Sequence, residues 1–194
     1  MRRQILGILA LAVSSMLVFS GVQPASAAQA KNCAFFLLPT GPGSEPGEIE
    51  TVPVALGCYA TYSQALAVGS AGSISVSTTT TPASLTDATL ASFSTDSVTT
   101  SILIGTEWTF INFTASSNSY FASSTCTSST TWQTHWVGDA WNDLFESGKG
   151  FGGCDKNKKF EDADYLGTVL SCTPNCSDYG TLSGEVSSLR WRIG

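Results

Sequence analysis

Residues 102–194 carry one pattern twice: an aromatic, a second aromatic five positions on, a cysteine, then a polar turn ending in serine. A unit repeated at this period builds two matching supersecondary pieces that share one core. In the first copy Trp108 and Phe113 hold the aromatic positions, Cys126 follows, and Asn142-Asp143-Leu144-Phe145-Glu146-Ser147 closes the unit. In the second, Phe160 and Tyr165 hold them, Cys172 follows, and Ser183-Gly184-Glu185-Val186-Ser187-Ser188 closes. The first copy differs mainly by a longer Ser/Thr-rich loop.

Five is an odd spacing, so on an ideal strand the two aromatics would point to opposite faces. A fold or hairpin between them removes the conflict, letting Phe113 pack back on Trp108 and Tyr165 on Phe160. Gly167 then supplies a backbone conformation that other residues resist.

The N-terminus reads as a leader. Arg2 and Arg3 precede an apolar run from Ile5 to Phe19, and Ala25-Ser26-Ala27 supplies the small residues of a cleavage site. Residues 1–27 are assigned as signal peptide, with the mature chain starting near Ala28 and the product secreted to the extracellular space. No later segment reaches the ~18 consecutive apolar residues of a membrane span.

Export changes the meaning of the six cysteines, which in an oxidising compartment form disulfides more readily than a metal site. Sequence leaves the connectivity open. Joining nearest neighbours gives Cys33 with Cys58, Cys126 with Cys154, and Cys172 with Cys176, the last across a turn favoured by Pro174 and Asn175. The rival reading gathers Cys154, Cys172, Cys176 and His135 around zinc, with a spacing unlike that of a zinc ribbon.

Charge excludes one class of partner. Nine basic residues, two of them in the leader, stand against 15 acidic ones. The one basic cluster, Lys156-Asn157-Lys158-Lys159, runs straight into Glu161, Asp162 and Asp164, so nucleic acid is excluded as a partner and the run reads as a solvated strand edge or turn. Charged residues make up only 12% of a chain rich in Ser, Thr and Gly, which suits an exported all-β protein.

All five tryptophans lie beyond Ser101. Strand signals there fall at 102–105, 108–113, 119–122, 132–137, 158–161, 168–171 and 189–193, the regular short spacing of a sandwich or barrel. Upstream, 34–39 and 52–59 read as strands that Cys33 and Cys58 would tie together, around a Gly/Pro loop at 41–47. Thr61 caps a short helix over 61–67 stopped near Gly69, 74–79 alternates as a strand or exposed linker would, and Ser84 caps a second short helix over 85–93. The division is therefore residues 28–101 as a disulfide-tied N-terminal segment with a Ser/Thr-rich linker, and 102–194 as the half that carries the aromatic repeat.

The second copy resembles the βγ-crystallin superfamily. That family's unit has an aromatic, often a glutamate, a second aromatic and a glycine, and closes on an Asn/Asp-rich turn ending in serine. Phe160-Glu161, Tyr165, Gly167 and the turn Ser183 to Ser188, followed by Leu189-Arg190-Trp191, match it. In the first copy Ala115 stands where the glycine belongs, and Glu146 replaces the fifth-position Ser/Thr of the turn. The resemblance covers 102–194 and implies an all-β sandwich of two Greek keys, closest to the exported bacterial branch that includes small metalloproteinase inhibitors and killer-toxin-like proteins.

The resemblance also implies calcium, held at paired turns. Carried over by position, its ligands are Asn142, Asp143 and Glu146 from the first turn and Ser183 and Ser187 from the second, with Glu161 nearby. Gly184 removes the acid expected of the second turn, so at most one site is expected, with a dissociation constant on the order of 10⁻⁴ to 10⁻³ M. The alternative is that Asn and Asp serve the turns alone, through bonds to their own backbone.

No catalytic constellation emerges. His135 is the only histidine, no Gly-x-Ser-x-Gly is present, and paired carboxylates for glycoside hydrolysis are only formally available, from Glu107, Asp143 and Glu161. Trp132, Trp136 and Trp141 suggest either core packing or a sugar-stacking platform. The chain is read as a non-enzymatic binding or structural protein. The alternative is an inhibitor of a secreted protease, whose partner would meet the 123–131 loop anchored by Cys126.

Overall fold

The computed structural model describes residues 31–93 and 101–194, so the leader and its cleavage site lie outside the described residues. Ten strands form one sheet: β1 (Asn32–Pro42), β2 (Glu48–Tyr59), β3 (Ile102–Phe110), β4 (Thr114–Ala122), β5 (Thr131–Thr134), β6 (Ser147–Gly150), β7 (Lys156–Phe160), β8 (Val169–Cys172), β9 (Asn175–Cys176) and β10 (Ser188–Arg192). Two short helices, α1 (Tyr62–Gly69) and α2 (Asp87–Phe93), lie between β2 and β3.

Strand order is β8-β7-β10-β5-β2-β1-β4-β3-β6-β9. The first unit, β3 to β6, runs fourth, first, second, then third strand, the order of a Greek key, with the β1–β2 hairpin inserted between its second and third strands. The second unit, β7 to β10, has the same gap between β8 and β9, at the two ends of the sheet. Cys172 on β8 bonds Cys176 on β9 across that gap, with Cα atoms 5.3 Å apart. One key is therefore completed by strands and the other by a disulfide. Each unit also lends its third strand to the other, since β5 pairs with β10 and β9 pairs with β6.

The N-terminal hairpin is part of this sheet. β1 runs parallel to β4, pairing Asn32 with Ser117 through Phe36 with Phe121, and β2 runs parallel to β5, pairing Glu48 with Thr131 through Thr51 with Thr134. The hairpin itself is antiparallel, with Cys33 opposite and bonded to Cys58. A third disulfide joins Cys126 to Cys154, and among the described residues no cysteine is free. No helix among them is long and apolar enough to cross a membrane.

Two buried clusters make up the core. Leu37, Ile104, Tyr120, Trp132, Phe145, Leu189 and Trp191 fill the space between the sheet faces. Ala34, Tyr62, Ala65 and Leu66 pack with Leu103, Trp108, Phe121 and Phe151 in the second. The tryptophans all lie beyond Ser101, yet this second cluster draws Tyr62 and helix α1 into the aromatic core. Helix α1 begins as expected, because Thr61 and Gln64 exchange side-chain and backbone hydrogen bonds in a capping box. It ends where Gly69 must lie against Phe121, whose ring atoms would stand 2.0 Å from an added Cβ.

Several sequence expectations shift. No strand forms over 74–79; Ile74 is buried there and held by the Ser70 hydroxyl, which accepts from its N–H at 2.9 Å. Helix α2 starts after Thr86, whose hydroxyl accepts from the Thr89 N–H at 3.2 Å, so Thr86 takes the place expected of Ser84. Segments 102–105 and 108–113 merge into one strand that ends before Ile111, and β5 stops at Thr134. The short β6 and β9 carry almost no apolar pattern, which is why periodicity misses them.

The Lys156–Lys159 run is also reassigned. It is β7, an interior strand between β8 and β10, and alternation turns Asn157 and Lys159 inward to full burial while Lys156 and Lys158 stay partly exposed.

Candidate functional site

The two closing turns sit side by side, related by approximate symmetry. Asp143 N–H donates to the Val186 carbonyl at 3.3 Å, and its counterpart Gly184 N–H donates to the Phe145 carbonyl at 3.0 Å. Glu146 N–H donates to Trp108 and Ser187 N–H to Phe160, at 2.8 and 2.9 Å. The final serines close the fold-back: Ser147 Oγ accepts from Phe113 N–H at 3.1 Å and Ser188 Oγ from Tyr165 N–H, also at 3.1 Å. Each hydroxyl donates in turn to the folded segment, Ser147 to Phe110 and Ser188 to Asp162, at 2.6 and 2.8 Å.

These serines hold the aromatic pairs. Trp108 meets Phe113 edge-on at 5.4 Å, and Phe160 meets Tyr165 edge-on at 5.5 Å. To fold back over five residues, Asn112 and Phe113 in one copy and Asp164 and Tyr165 in the other take positive φ, between 56° and 64°. Two positions later Gly167 sits at φ 73° and Ala115 at 67°. An added Cβ at Gly167 would meet Asp162 Oδ2 at 2.7 Å, so glycine is needed there twice over. Ala115 bears the left-handed conformation with a Cβ, and Ala115→Gly is expected to raise unfolding stability by about 0.5–1 kcal/mol in chemical denaturation. A loss on that substitution would contradict the reading.

A ten-strand sheet of two Greek keys that exchange their third strands, with paired turns and serine-locked aromatic folds, decides the architecture. The fold is an all-β pair of Greek keys. Among solved structures the chain is similar to a βγ-crystallin from an archaeon, at 20% identity over 46% of this chain and 98% of that one, TM-score 0.34. The N-terminal domain of protein S aligns at 17% identity over 46% and 96% of the two chains, TM-score 0.37. A βγ-crystallin domain from Flavobacterium johnsoniae aligns at 16% identity over 47% and 96%, TM-score 0.34. No family model and no curated protein matches the chain.

Of the six candidate calcium ligands, three come together. Ser187 Oγ approaches Asp143 Oδ1 at 3.5 Å, and Asn142 Nδ2 donates to Asp143 Oδ2 at 2.7 Å. Asn142 Oδ1 is buried beside them with no hydrogen-bond partner. The others turn elsewhere: Ser183 Oγ donates to Asp178 at 3.2 Å, and Glu161 Oε2 accepts from Thr168 N–H at 2.9 Å; hydrogen bonding from the Thr168 side chain, and then from its backbone, holds the Glu161 carboxyl below its ordinary range. Glu146 is held by its backbone, its N–H donating to the Trp108 carbonyl and its own carbonyl accepting from the Tyr179 N–H, at 2.8 Å each. No cluster of three or more His, Cys, Asp or Glu side chains suited to a metal occurs among the described residues, so carbonyl, amide and hydroxyl oxygens would have to complete any site.

The tryptophans divide. Trp132 is core, its indole N–H donating to the Ser124 carbonyl at 3.0 Å. Trp136 and Trp141 are half-buried and line an open groove of about 490 Å³ with Phe35, Val52, Pro53 and His135. His135 Nδ1 lies 3.2 Å from Glu50, which also accepts from the Tyr165 hydroxyl at 2.6 and 2.7 Å. The three sulfur atoms of the rival zinc set are all committed to disulfides.

Sequence reading missed the most unusual residues of the interior. Glu107 on β3 and Lys159 on β7 occupy equivalent positions, each just before the first aromatic of its unit, and form a buried ion pair to which Tyr179 also donates. Aligning the two copies exposes the opposed charges; reading Lys159 within its basic run hides them.

Proposed function

We propose that this is an exported, non-enzymatic Greek-key protein that works by binding and durability, with one weak calcium site at the Asn142–Asp143–Ser187 clamp. The observation that carries the calcium reading is the unpartnered, buried Asn142 Oδ1 beside the Asp143 carboxylate and the Ser187 hydroxyl. A buried acceptor without a donor is costly, and a hard cation is one way to satisfy it. Bound there, calcium would bridge the two closing turns and so brace both units.

Thermal unfolding with chelator and with about 10 mM calcium tests this. With a dissociation constant of 10⁻⁴ to 10⁻³ M, binding contributes about 1.4–2.7 kcal/mol, a rise of several degrees. Asp143→Ala is expected to abolish the rise, while Glu185→Ala leaves it intact. An unchanged midpoint for the unsubstituted protein would assign these residues to turn formation alone.

A second reading, protease inhibition, draws on the 123–131 loop. Cys126 is buried and bonded to Cys154, while Thr127 to Ser129 are exposed on a turn closed by reciprocal Thr127–Thr130 bonds at 3.2 Å. Such an anchored tip fits the rigid loop an inhibitor presents. Stoichiometric inhibition of a secreted metalloprotease would support it, and steady cleavage of the loop would count against it.

A further inference from the structure

The strands β3 and β7 open the two Greek keys, and their inward residues meet in the interior. Glu107 and Lys159 both have 0% side-chain exposure, and Lys159 Nζ hydrogen-bonds Glu107 Oε1. The Tyr179 hydroxyl donates to the other oxygen, Oε2. The rings of Tyr179 and Trp191 lie 5.6 and 6.0 Å from Nζ, and Tyr120 packs on Trp191 at 4.9 Å. Glu107 is the one acidic partner of Lys159 among the described residues.

We propose that Lys159 and Glu107 condense to an intramolecular isopeptide bond, Nζ to Cδ, which covalently joins the two Greek-key units. The reaction starts when the ammonium passes a proton to the carboxylate, leaving a neutral amine beside a carboxylic acid. Burial works in that direction at both groups, pushing the Glu107 carboxyl up and the Lys159 amine down. Nζ then attacks Cδ and forms the N–C bond. The Cδ–Oε1 bond breaks, and Oε1 leaves as water with the acid's proton and one proton from the amine. Oε2 remains as the amide carbonyl, so atoms and charge balance with no oxidant and no other reactant.

The surroundings suit each part of that step. Tyr179 already donates to the oxygen that becomes the oxyanion of the tetrahedral intermediate and then the amide carbonyl, the role of an oxyanion-hole donor. The fold holds nucleophile and electrophile in contact, which removes the entropic cost of bringing them together. Condensation also replaces two desolvated charges, expensive in a dry interior, by one neutral amide whose acceptor is already hydrogen-bonded. An ordinary ion pair would share this geometry, and the two differ by one molecule of water.

Intact-mass spectrometry of the folded, unsubstituted protein therefore tests the proposal. The expected mass is that of the chain with three disulfides less one water, with the loss retained after reduction. Peptide mapping should recover a branched peptide linking the Glu107 segment to the Lys159 segment, with no tryptic cleavage after Lys159. Tyr179→Phe keeps the ring and removes the donor, so the water-lighter fraction should accumulate more slowly after synthesis. Full mass with normal cleavage at Lys159 after prolonged incubation of the folded protein overturns the proposal, as does a water loss that maps elsewhere. The unsubstituted protein decides the matter even if Lys159→Met, expected to show full mass, fails to fold.

Discussion

Glu107→Ala is expected to destabilise the protein by about 3–5 kcal/mol, the cost of leaving one member of a buried ion pair without its partner. The substitution strands Lys159 with no acidic neighbour and Tyr179 with an unpaired hydroxyl, both inside the sandwich. Burial lowers the Lys159 pKa, and with Glu107 gone no carboxylate raises it. The sign follows from linkage: the unfolded chain then binds a proton that the folded state resists. The deficit is therefore greater at neutral pH than in alkali, shrinking as pH rises toward the ordinary lysine value of about 10.4. Urea denaturation at two pH values measures both effects. A loss below about 1 kcal/mol would mean that water reaches the pair and the interior is not dry there. The double variant Glu107→Leu/Lys159→Met removes both charges and should recover most of the loss, since apolar replacements of buried pairs are often neutral. If the isopeptide bond forms, the unsubstituted protein keeps an advantage that neither residue's charge explains.

Local chemistry made much of the second copy legible. The odd spacing of Phe160 and Tyr165 demands a fold-back, Gly167 marks its positive φ, and the closing serine locks it; each is a short-range constraint that a sequence displays. The capping box at Thr61 and Gln64 is readable for the same reason. What escaped was set by long-range pairing. Nothing local in Ser147–Gly150 or Asn175–Cys176 says strand, because these segments borrow their geometry from β3 and from each other. The burial of Lys159 depends on a glutamate 52 positions away. Position in the motif puts Ser183 and Glu161 near calcium, yet Asp178 and Thr168 compete for them, and that competition appears only in three dimensions.

Residues 102–194 expressed alone are expected to lose cooperative unfolding altogether. Sequence reading draws a boundary at residue 101, because composition changes there and the aromatic repeat begins. The sheet crosses it. Without β1 and β2, the inner flanks of β4 and β5 present unpaired edges, a form that invites association. The loss of packing is larger still. Leu37 leaves one core cluster, and Ala34, Tyr62, Ala65, Leu66, Ile74 and Leu85 leave the other, exposing Trp108, Phe121 and Phe151 beneath them. At about 1.5–3 kcal/mol for each large apolar side chain, their removal meets or exceeds the roughly 5–15 kcal/mol by which domains of this size are stable. Circular dichroism and thermal unfolding of the fragment measure the outcome: a broad or absent transition with dye-binding apolar surface is expected. A sharp transition would make the Greek-key pair self-sufficient, and the hairpin would then be an addition to a finished fold. The parallel pairing of β1 with β4 and β2 with β5 argues the other way, since it fills in the first key the same opening that Cys172 and Cys176 staple in the second.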